Sequence, residues 1–237
     1  MKTILVSLFA LALIPGRVYA VDGQILINQA TVAAAGGYPY KITQPGSYKL
    51  SGNLAGVGDA KDAIDINSDH VTLDLNGFMI SGPVGGASHC YFCVGVNSTY
   101  AGITVKNGVI SGFSTGIRLT GAGNLVQDVQ TDHNAGDGLD VNNGTVTRCS
   151  ATSSYNGFSV TNTVLSDSTA TNNGNIGISA TGSTVIRNAV TGNGTGIQTQ
   201  SSTVVGSNSV HDNFFADLDL ASGSVSQNNN VCSSGPC

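Results

Sequence analysis

The sequence predicts an all-β protein, a single-stranded parallel β-helix in which short strands stack along one axis. The prediction rests on a composition unsuited to long helices, a repeat of about twenty residues, and short apolar–polar alternations within each repeat. The chain has 237 residues, with 32 Gly, 22 Asn and no Glu or Trp. Gly and Asn lower helix stability at interior positions. The 40% of hydrophobic residues supply enough apolar surface for a core.

The repeat has the pattern Gly, aliphatic, polar, aliphatic. Clear copies begin at Gly116 and recur after 22, 19, 20, 19 and 21 residues, with Asp217 replacing Gly in the last copy. Earlier copies lie at 63–66 and 94–96. A repeat of this length predicts a solenoid whose units bury their apolar faces only by stacking. A leucine-rich repeat would need a regular Leu frame, which the chain lacks, so the pattern favours a parallel β-helix of about nine coils.

The chain divides into four segments. Residues 1–20 have the features of a signal peptide: Lys2, an apolar stretch of about eleven residues, and a small-residue cleavage pattern at Ala20. This stretch is shorter than the ~20 residues of a membrane span. We expect an N-terminal cap at 21–41, the β-helix at 42–221 and a C-terminal cap at 222–237. A signal peptide implies a secreted or periplasmic protein.

The caps are expected because the first and last coils would otherwise leave open sheet edges. Ile25-Leu26-Ile27 is suited to a strand, and Ala33-Ala34-Ala35 to a short helical turn over the first coil.

Asn residues precede the bend in successive coils, and their side chains are expected to form hydrogen bonds along the axis. Asn and Gly also tolerate the left-handed backbone that tight bends require. The expected ladder is Asn134, Asn156, Asn173, Asn193 and Asn213.

Three stretches carry a family resemblance: AAAGGYPY at 33–40, QPGSYKLSGNL at 44–54 and VTLDLNGF at 71–78. They resemble exported bacterial right-handed parallel β-helix repeat proteins, which have the pectate-lyase-like architecture. The resemblance covers essentially the whole chain after residue 20 and implies a right-handed coil. That superfamily includes lyases, hydrolases, epimerases, adhesins and inert scaffolds, so the fold alone does not choose a function.

The candidate site is the outward column of the first strand of each coil. Arg118 and Asp140 should be neighbours about 5 Å apart. They are interpreted either as a site for an anionic substrate or calcium, or as a surface ion pair of little energetic consequence. Asp217 and Asp219 are a second candidate, as a pair of catalytic carboxyls. The expected column is Asp65, Gly95, Arg118, Asp140, Ser159, Ser179, Gln198 and Asp219.

Calcium is the one cofactor that the sequence leaves open. Asp137 and Asp140 could bind it weakly at a bend, although turn chemistry also explains Asp and Asn at such positions.

We predict mainly structural roles for the five Cys residues. Cys90 lies in an insertion at 83–92 and Cys93 directly follows it, and the two are expected to form a local disulfide that restrains this loop. Cys232 and Cys237 are expected to close the C-terminal cap with a second disulfide. Cys149 is predicted to be a core residue.

Charge excludes one class of partner. Nine Lys and Arg residues face fourteen Asp, for a net charge of −5. The cations are scattered, whereas nucleic-acid binding needs a clustered basic face. We expect a monomer that binds no nucleic acid and has no membrane span.

Two functions remain. Coil lengths between 116 and 213 are nearly uniform, which leaves little chain for the long loops of a substrate cleft. We therefore expect an exported, non-catalytic scaffold that is structural or binds polysaccharide weakly. The alternative is a polysaccharide-active enzyme, a lyase or a glycoside hydrolase, that acts on an extracellular glycan through Asp65, Arg118 and Asp140.

Overall fold

The computed structural model describes residues 23–58, 60–83 and 92–237. The described residues confirm the all-β prediction, with one short helix and parallel strands that form a β-solenoid of about nine turns. The helix is α1 (Gln29–Ala34). The strands in chain order are β1 (Ile25–Ile27), β2 (Tyr40–Ile42), β3 (Gly46–Leu50), β4 (Ile64–Ile66), β5 (Val71–Asp74), β6 (Met79–Ser81), β7 (Val94–Ser98), β8 (Thr104–Ser111), β9 (Thr115–Leu119), β10 (Asn124–Asp132), β11 (Asp137–Asn142), β12 (Gly144–Thr147), β13 (Ser150–Thr152), β14 (Asn156–Thr161), β15 (Val164–Ser166), β16 (Thr169–Thr171), β17 (Ile176–Thr181), β18 (Thr184–Ile186), β19 (Ala189–Thr191), β20 (Thr195–Ser201), β21 (Val204–Gly206), β22 (Ser209–His211), β23 (Ala216–Asp219), β24 (Val225–Ser226), β25 (Val231–Cys232) and β26 (Gly235–Pro236).

The solenoid has three faces. Within the described residues, the first face is a nine-stranded parallel sheet in the order β2-β4-β7-β9-β11-β14-β17-β20-β23. The other strands form one sheet that continues around a corner and supplies the second and third faces. Its two halves are joined because β8 and β10 run through the corner: β10 pairs with β12 through its first residues and with β13 through its last. From β11 onward, each coil adds one strand to each face.

The core follows from the alternation of side chains along each strand. In β11, Leu139 and Val141 are fully buried on either side of the partly exposed Asp140. Phe113 and Phe158 are the largest fully buried side chains. Burial of such a side chain contributes ~1.5–3 kcal/mol, and these side chains are covered by the coils above and below. Stacking of coils therefore supplies the stability.

Three polar ladders lie inside the corners and satisfy buried backbone N–H groups. In the first, the backbone N–H of Asn173 donates to Oδ1 of Asn193 at 3.0 Å, and that of Asn193 donates to Oδ1 of Asn213 at 3.0 Å. The prediction that Asn156 belongs to this ladder is wrong, because Ser154 occupies the inner position between Asn134 and Asn173. Asn156 lies two residues further along the chain, where it begins β14 and is bonded to Asp137 and Asn175. The other two ladders are Ser168, Asn188, Asn208 and Asn230, and Thr163, Ser183, Thr203 and Ser224.

Left-handed backbone at the corners explains part of the Asn and Gly content. Asn143 and Asn162 have φ of 52° and 50°, and Gly182 follows with φ 57°. Arg148 and Arg187 also have positive φ, of 51° and 56°. A long side chain is unusual there, and both Arg residues form ion pairs described below.

Both ends of the stack carry additional structure. At the N-terminal end β1 pairs with β3, and α1 is capped by the Asn28 side chain with Thr31 in a capping box. Val32 of α1 is buried against the first coils. At the C-terminal end β24 and β25 continue the parallel pairing to Cys232, beyond residue 221. The antiparallel pair β25–β26 then closes the third face, beside a disulfide between Cys232 and Cys237.

The predicted signal peptide, residues 1–20, lies outside the described residues, as does Cys90. Among the described residues, no helix has the length and hydropathy required to cross a bilayer.

Candidate functional site

The first face carries a row of outward polar side chains that the strand register aligns along the solenoid axis. Neighbouring strands lie ~4.8 Å apart, so the side chains recur at that spacing. We call this set the first-face row: Lys41, Asp65, Asn97, Arg118, Asp140, Ser159, Ser179, Gln198 and Asp219.

The prediction that Gly95 belongs to this row is wrong. The register pairs Asp65 with Asn97, and Asn97 with Arg118, so Asn97 occupies the position expected for Gly95. A Cβ built on Gly95 would lie 2.6 Å from the carbonyl oxygen of Gly116 and 3.3 Å from the Phe113 ring. Gly95 therefore marks a close approach to the next coil and the core.

Arg118 and Asp140 are neighbours in the row and form an ion pair, as their spacing predicts. Arg118 Nε donates to Asp140 Oδ2 at 3.2 Å, and its Nη2 donates to Oγ1 of Thr115 at 3.0 Å. The two charged side chains are 40% and 23% exposed. Burial raises the pKa of Asp140, and the nearby charge of Asp137 raises it further, against the opposing effect of Arg118. This ion pair is a partly screened contact, in which both groups already have partners.

Asp62 and Asp65 form an acidic pair three coils before Asp140. The pKa of Asp65 is raised to about 6, first by burial and then by hydrogen bonding and charge repulsion from Asp62, while Lys41 lowers it. Asp62 accepts hydrogen bonds from the backbone N–H of Val94 at 2.7 Å and from Nδ2 of Asn97 at 2.9 Å. Oδ1 of Asp65 is buried and accepts no hydrogen bond among the described residues. The pair can therefore retain a proton at mildly acidic pH.

The sequence interpretation overlooked Asp62. A signal for it exists, because Asp62 precedes Asp65 by three residues as Asp137 precedes Asp140, at equivalent positions of two repeat copies.

The row does not bring Asp65 and Asp140 together. They are separated by three steps of the ladder, through Asn97 and Arg118. Three steps correspond to ~14 Å, whereas the two carboxyls of a glycoside hydrolase lie ~5–9.5 Å apart. These two residues therefore cannot act as one catalytic pair.

Asp217 and Asp219 lie on β23, the last strand of the first face. Asp217 accepts hydrogen bonds from Nδ2 of Asn213 at 3.0 Å and from the backbone N–H of Ser233 at 2.8 Å. Burial raises its pKa, but these hydrogen bonds lower it by more, so the net pKa lies below the ordinary value. Asp219 accepts from Nε2 of Gln198 at 2.8 Å. Asp217 thus joins the C-terminal cap to the last coil, and Asp219 continues the first-face row.

The described residues contain no group of three or more His, Cys, Asp or Glu side chains that could hold a metal ion. Asp137, the expected calcium ligand beside Asp140, accepts a hydrogen bond from Nδ2 of Asn156 at 2.9 Å.

The described Cys residues lie at structural positions. Cys93 is fully buried, and the predicted bond to Cys90 lies outside the described residues. Cys232 and Cys237 form the expected disulfide. Cys149 is a buried thiol, and burial raises its pKa to about 11. The protonated thiol is a poor nucleophile, which agrees with the predicted core role.

A charged ladder on the corner between the second and third faces was also missed from the sequence. Arg148 donates to both oxygens of Asp128 at 2.8 Å, and Arg187 donates to both oxygens of Asp167 at 2.7 and 2.9 Å. The signal is the 20- and 19-residue spacing of the four residues. All four side chains are well exposed, so each pair contributes little to stability.

Two surface grooves, of about 510 and 310 Å³, lie away from the first-face row. The larger is lined by Asn124, Asn143 and their neighbours at the corner that follows the first face, and the smaller by Asp128, Arg148 and adjacent residues. Neither includes a residue of the first-face row.

Comparison with protein-family models and with curated proteins gives no match to this chain. The class defined by the fold and the row is a structural one: a parallel β-solenoid with a polar row along its nine-stranded face.

Proposed function

We propose that this protein is an exported β-helix scaffold that binds carbohydrate weakly along its first face and does not turn it over. The observation that carries the proposal is the first-face row, in which hydrogen-bonding side chains recur at ~4.8 Å along a straight axis. An extended hydroxyl-rich polymer could contact such a row over several coils. Individually weak hydrogen bonds would then add along the chain.

The absence of turnover is proposed because the candidate catalytic side chains, apart from Asp65, are already bonded to other residues. Arg118 is bonded to Asp140 and Thr115, and Asp217 is bonded to the C-terminal cap. Side chains that are bonded in this way hold neighbouring coils and the C-terminal cap in place.

Export and family membership belong to the same proposal. The features of residues 1–20 support a signal peptide, and the Cys232–Cys237 bond supports an oxidising compartment such as the periplasm or the exterior. The resemblance to bacterial right-handed β-helix repeat proteins supports the pectate-lyase-like architecture. N-terminal sequencing of the exported protein, with Val21 as its first residue, would support this placement. A mature protein that retains Met1 would contradict it.

The function is tested by a glycan-array and turnover screen on residues 21–237, with and without calcium. Binding without release of sugar ends is the expected result. Arg118→Ala and Asp140→Ala should each weaken it, because both remove hydrogen-bonding groups from the row. Ser209→Ala, on β22 of the third face, serves as a control that should leave binding unchanged. Release of unsaturated or reducing ends would overturn the scaffold proposal.

A polysaccharide-active enzyme is the second candidate, favoured by one observation. Asp65, with a pKa of about 6 beside Asp62, could supply a general acid near neutral pH. If this candidate is correct, turnover should fall as pH rises through about 6 and should be lost in Asp65→Asn. Turnover that persists in Asp65→Asn would remove this site.

A further inference from the structure

Exposed aromatic rings lie at the corner where the third face turns into the first. In the first polar ladder, the residues Ser154, Asn173, Asn193 and Asn213 are each followed in the chain by a residue at an equivalent corner position. These residues are Tyr155, Gly174, Gly194 and Phe214. Between Tyr155 and Phe214 this column therefore has two positions without a side chain, and Ala135 occupies the position one coil before Tyr155.

The rings are unusually accessible. Tyr155 is 55% exposed, Phe214 is 83% exposed and the adjacent Phe215 is 75% exposed. Phe214 and Phe215 contact each other edge to face, with ring centroids 4.8 Å apart. A solvent-exposed aromatic cluster on a polar surface indicates a contact site for an apolar surface of a ligand.

The span between the rings is set by the coil spacing. Three coil steps separate Tyr155 from Phe214, or ~14 Å. The intervening Gly174 and Gly194 leave the backbone of the corner as the floor between the two rings.

Amide groups line the side of this column toward the first-face row. Asn175 Nδ2 donates to Asn156 Oδ1 at 3.0 Å, and Asn156 Nδ2 donates to Asp137 Oδ1 at 2.9 Å. Asn175 Oδ1 accepts no hydrogen bond from the described residues, and Asn175 as a residue is partly exposed. The amides thus present hydrogen-bonding groups beside the aromatic rings.

The surrounding charge selects between ligand classes. From β14 to β23 the first face carries no Lys or Arg, whereas Asp137, Asp217 and Asp219 bracket the column. Arg187 lies on another corner and is paired with Asp167. An acidic surface repels uronates and other anionic sugars and accepts a neutral chain.

We propose that the corner between Tyr155 and Phe214 binds a neutral glycan. The rings pack against the apolar C–H faces of sugar residues, as aromatic side chains do with other flat apolar surfaces. Asn156 and Asn175 form hydrogen bonds with sugar hydroxyls at the edge of the row. This inference rests on the proposed carbohydrate binding and specifies its location and its ligand class.

The test compares neutral and uronate oligosaccharides on the same array and then measures affinity for the strongest neutral ligand by calorimetry. Tyr155→Ala and the double variant Phe214→Ala/Phe215→Ala are each expected to weaken binding by about tenfold. Tyr155→Phe keeps the ring and should bind within about twofold of the parent. Tyr100→Ala is the matched control, an exposed Tyr that is 40% accessible on the far side of the first face. Far-ultraviolet circular dichroism confirms that each variant is folded.

The outcomes separate the two proposals. A parent protein that binds no glycan overturns the proposed function and this inference with it. Binding that falls in Arg118→Ala but not in Tyr155→Ala or the double Phe variant keeps the function and overturns the corner site. A preference for uronates over neutral chains also overturns the inference, because it contradicts the charge argument.

Discussion

Replacing Asn193 by Ala is expected to lower the free energy of unfolding by ~3–5 kcal/mol. Asn193 is 2% exposed, and its Oδ1 accepts hydrogen bonds from both the backbone N–H and Nδ2 of Asn173, at 3.0 and 2.9 Å. Its Nδ2 donates to the carbonyl oxygen of Ala170 at 3.0 Å. Ala leaves the buried backbone N–H of Asn173 without a partner and removes the bond to the Ala170 carbonyl oxygen. Asn173 Nδ2 loses one of its two bonds and keeps the one to the Ala151 carbonyl oxygen at 3.1 Å. Each buried group left unsatisfied costs ~1–3 kcal/mol.

The assay is equilibrium unfolding in urea, followed by far-ultraviolet circular dichroism. Asn193→Ser should recover part of the loss, because Ser154 fills the same ladder position two coils earlier. Asn162→Gly is the matched control: it removes an exposed Asn with one side-chain hydrogen bond at 3.2 Å and retains the left-handed backbone. A shift in Asn193→Ala no larger than in Asn162→Gly would refute the view that the inner ladder stabilises the stack.

Three further predictions concern pH, reactivity and packing. Because the folded-state pKa of Asp65 is raised to about 6, the folded state holds its proton more tightly than the unfolded state, so stability should fall as pH rises from about 4 to about 6. Asp65→Asn should remove that slope and be the more stable form at pH 8 in thermal melts, and an unchanged slope would contradict the assignment. Cys149 should resist thiol reagents at pH 8 until the chain is unfolded, because burial raises its pKa to about 11. Mass spectrometry measures the labelling, and rapid labelling of the native protein would count against this prediction. Gly138→Ala should lower the free energy of unfolding in urea by ~1–3 kcal/mol, because the added Cβ would lie 2.7 Å from the Gly157 carbonyl oxygen. Gly52→Ala, whose Cβ would have its nearest neighbour at 3.9 Å, should be tolerated. Equal stability of the two variants would argue against the close approach.

The two proposed binding surfaces lie on adjacent parts of one scaffold. In the first-face row Arg118 is bonded to Asp140 and Gln198 to Asp219. The corner beside it carries the exposed rings of Tyr155, Phe214 and Phe215. Asn156 lies between them, bonded to Asp137 on one side and to Asn175 on the other. A ligand that lies across both surfaces would combine hydrogen bonding with aromatic contact.

The sequence by itself determined the fold class and the periodicity. Gly and Asn density excludes long helices, and the spacing of the copies from Gly116 to Asp217 sets the coil length. The alternation of apolar and polar residues identifies which side chains point inward, because successive strand residues face opposite sides. For the same reason the Arg118–Asp140 contact could be predicted, since a parallel register places equivalent repeat positions side by side.

Only the tertiary structure decided the register in coils of unequal length. The register pairs Asn97, two residues after Gly95, with Arg118, and the inner ladder position falls on Ser154, two residues before Asn156. The burial of Asp65 beside Asp62 and the gap between Tyr155 and Phe214 also depend on the folded backbone. A repeat pattern specifies which positions are equivalent, but contact distances and burial follow from how each individual corner turns.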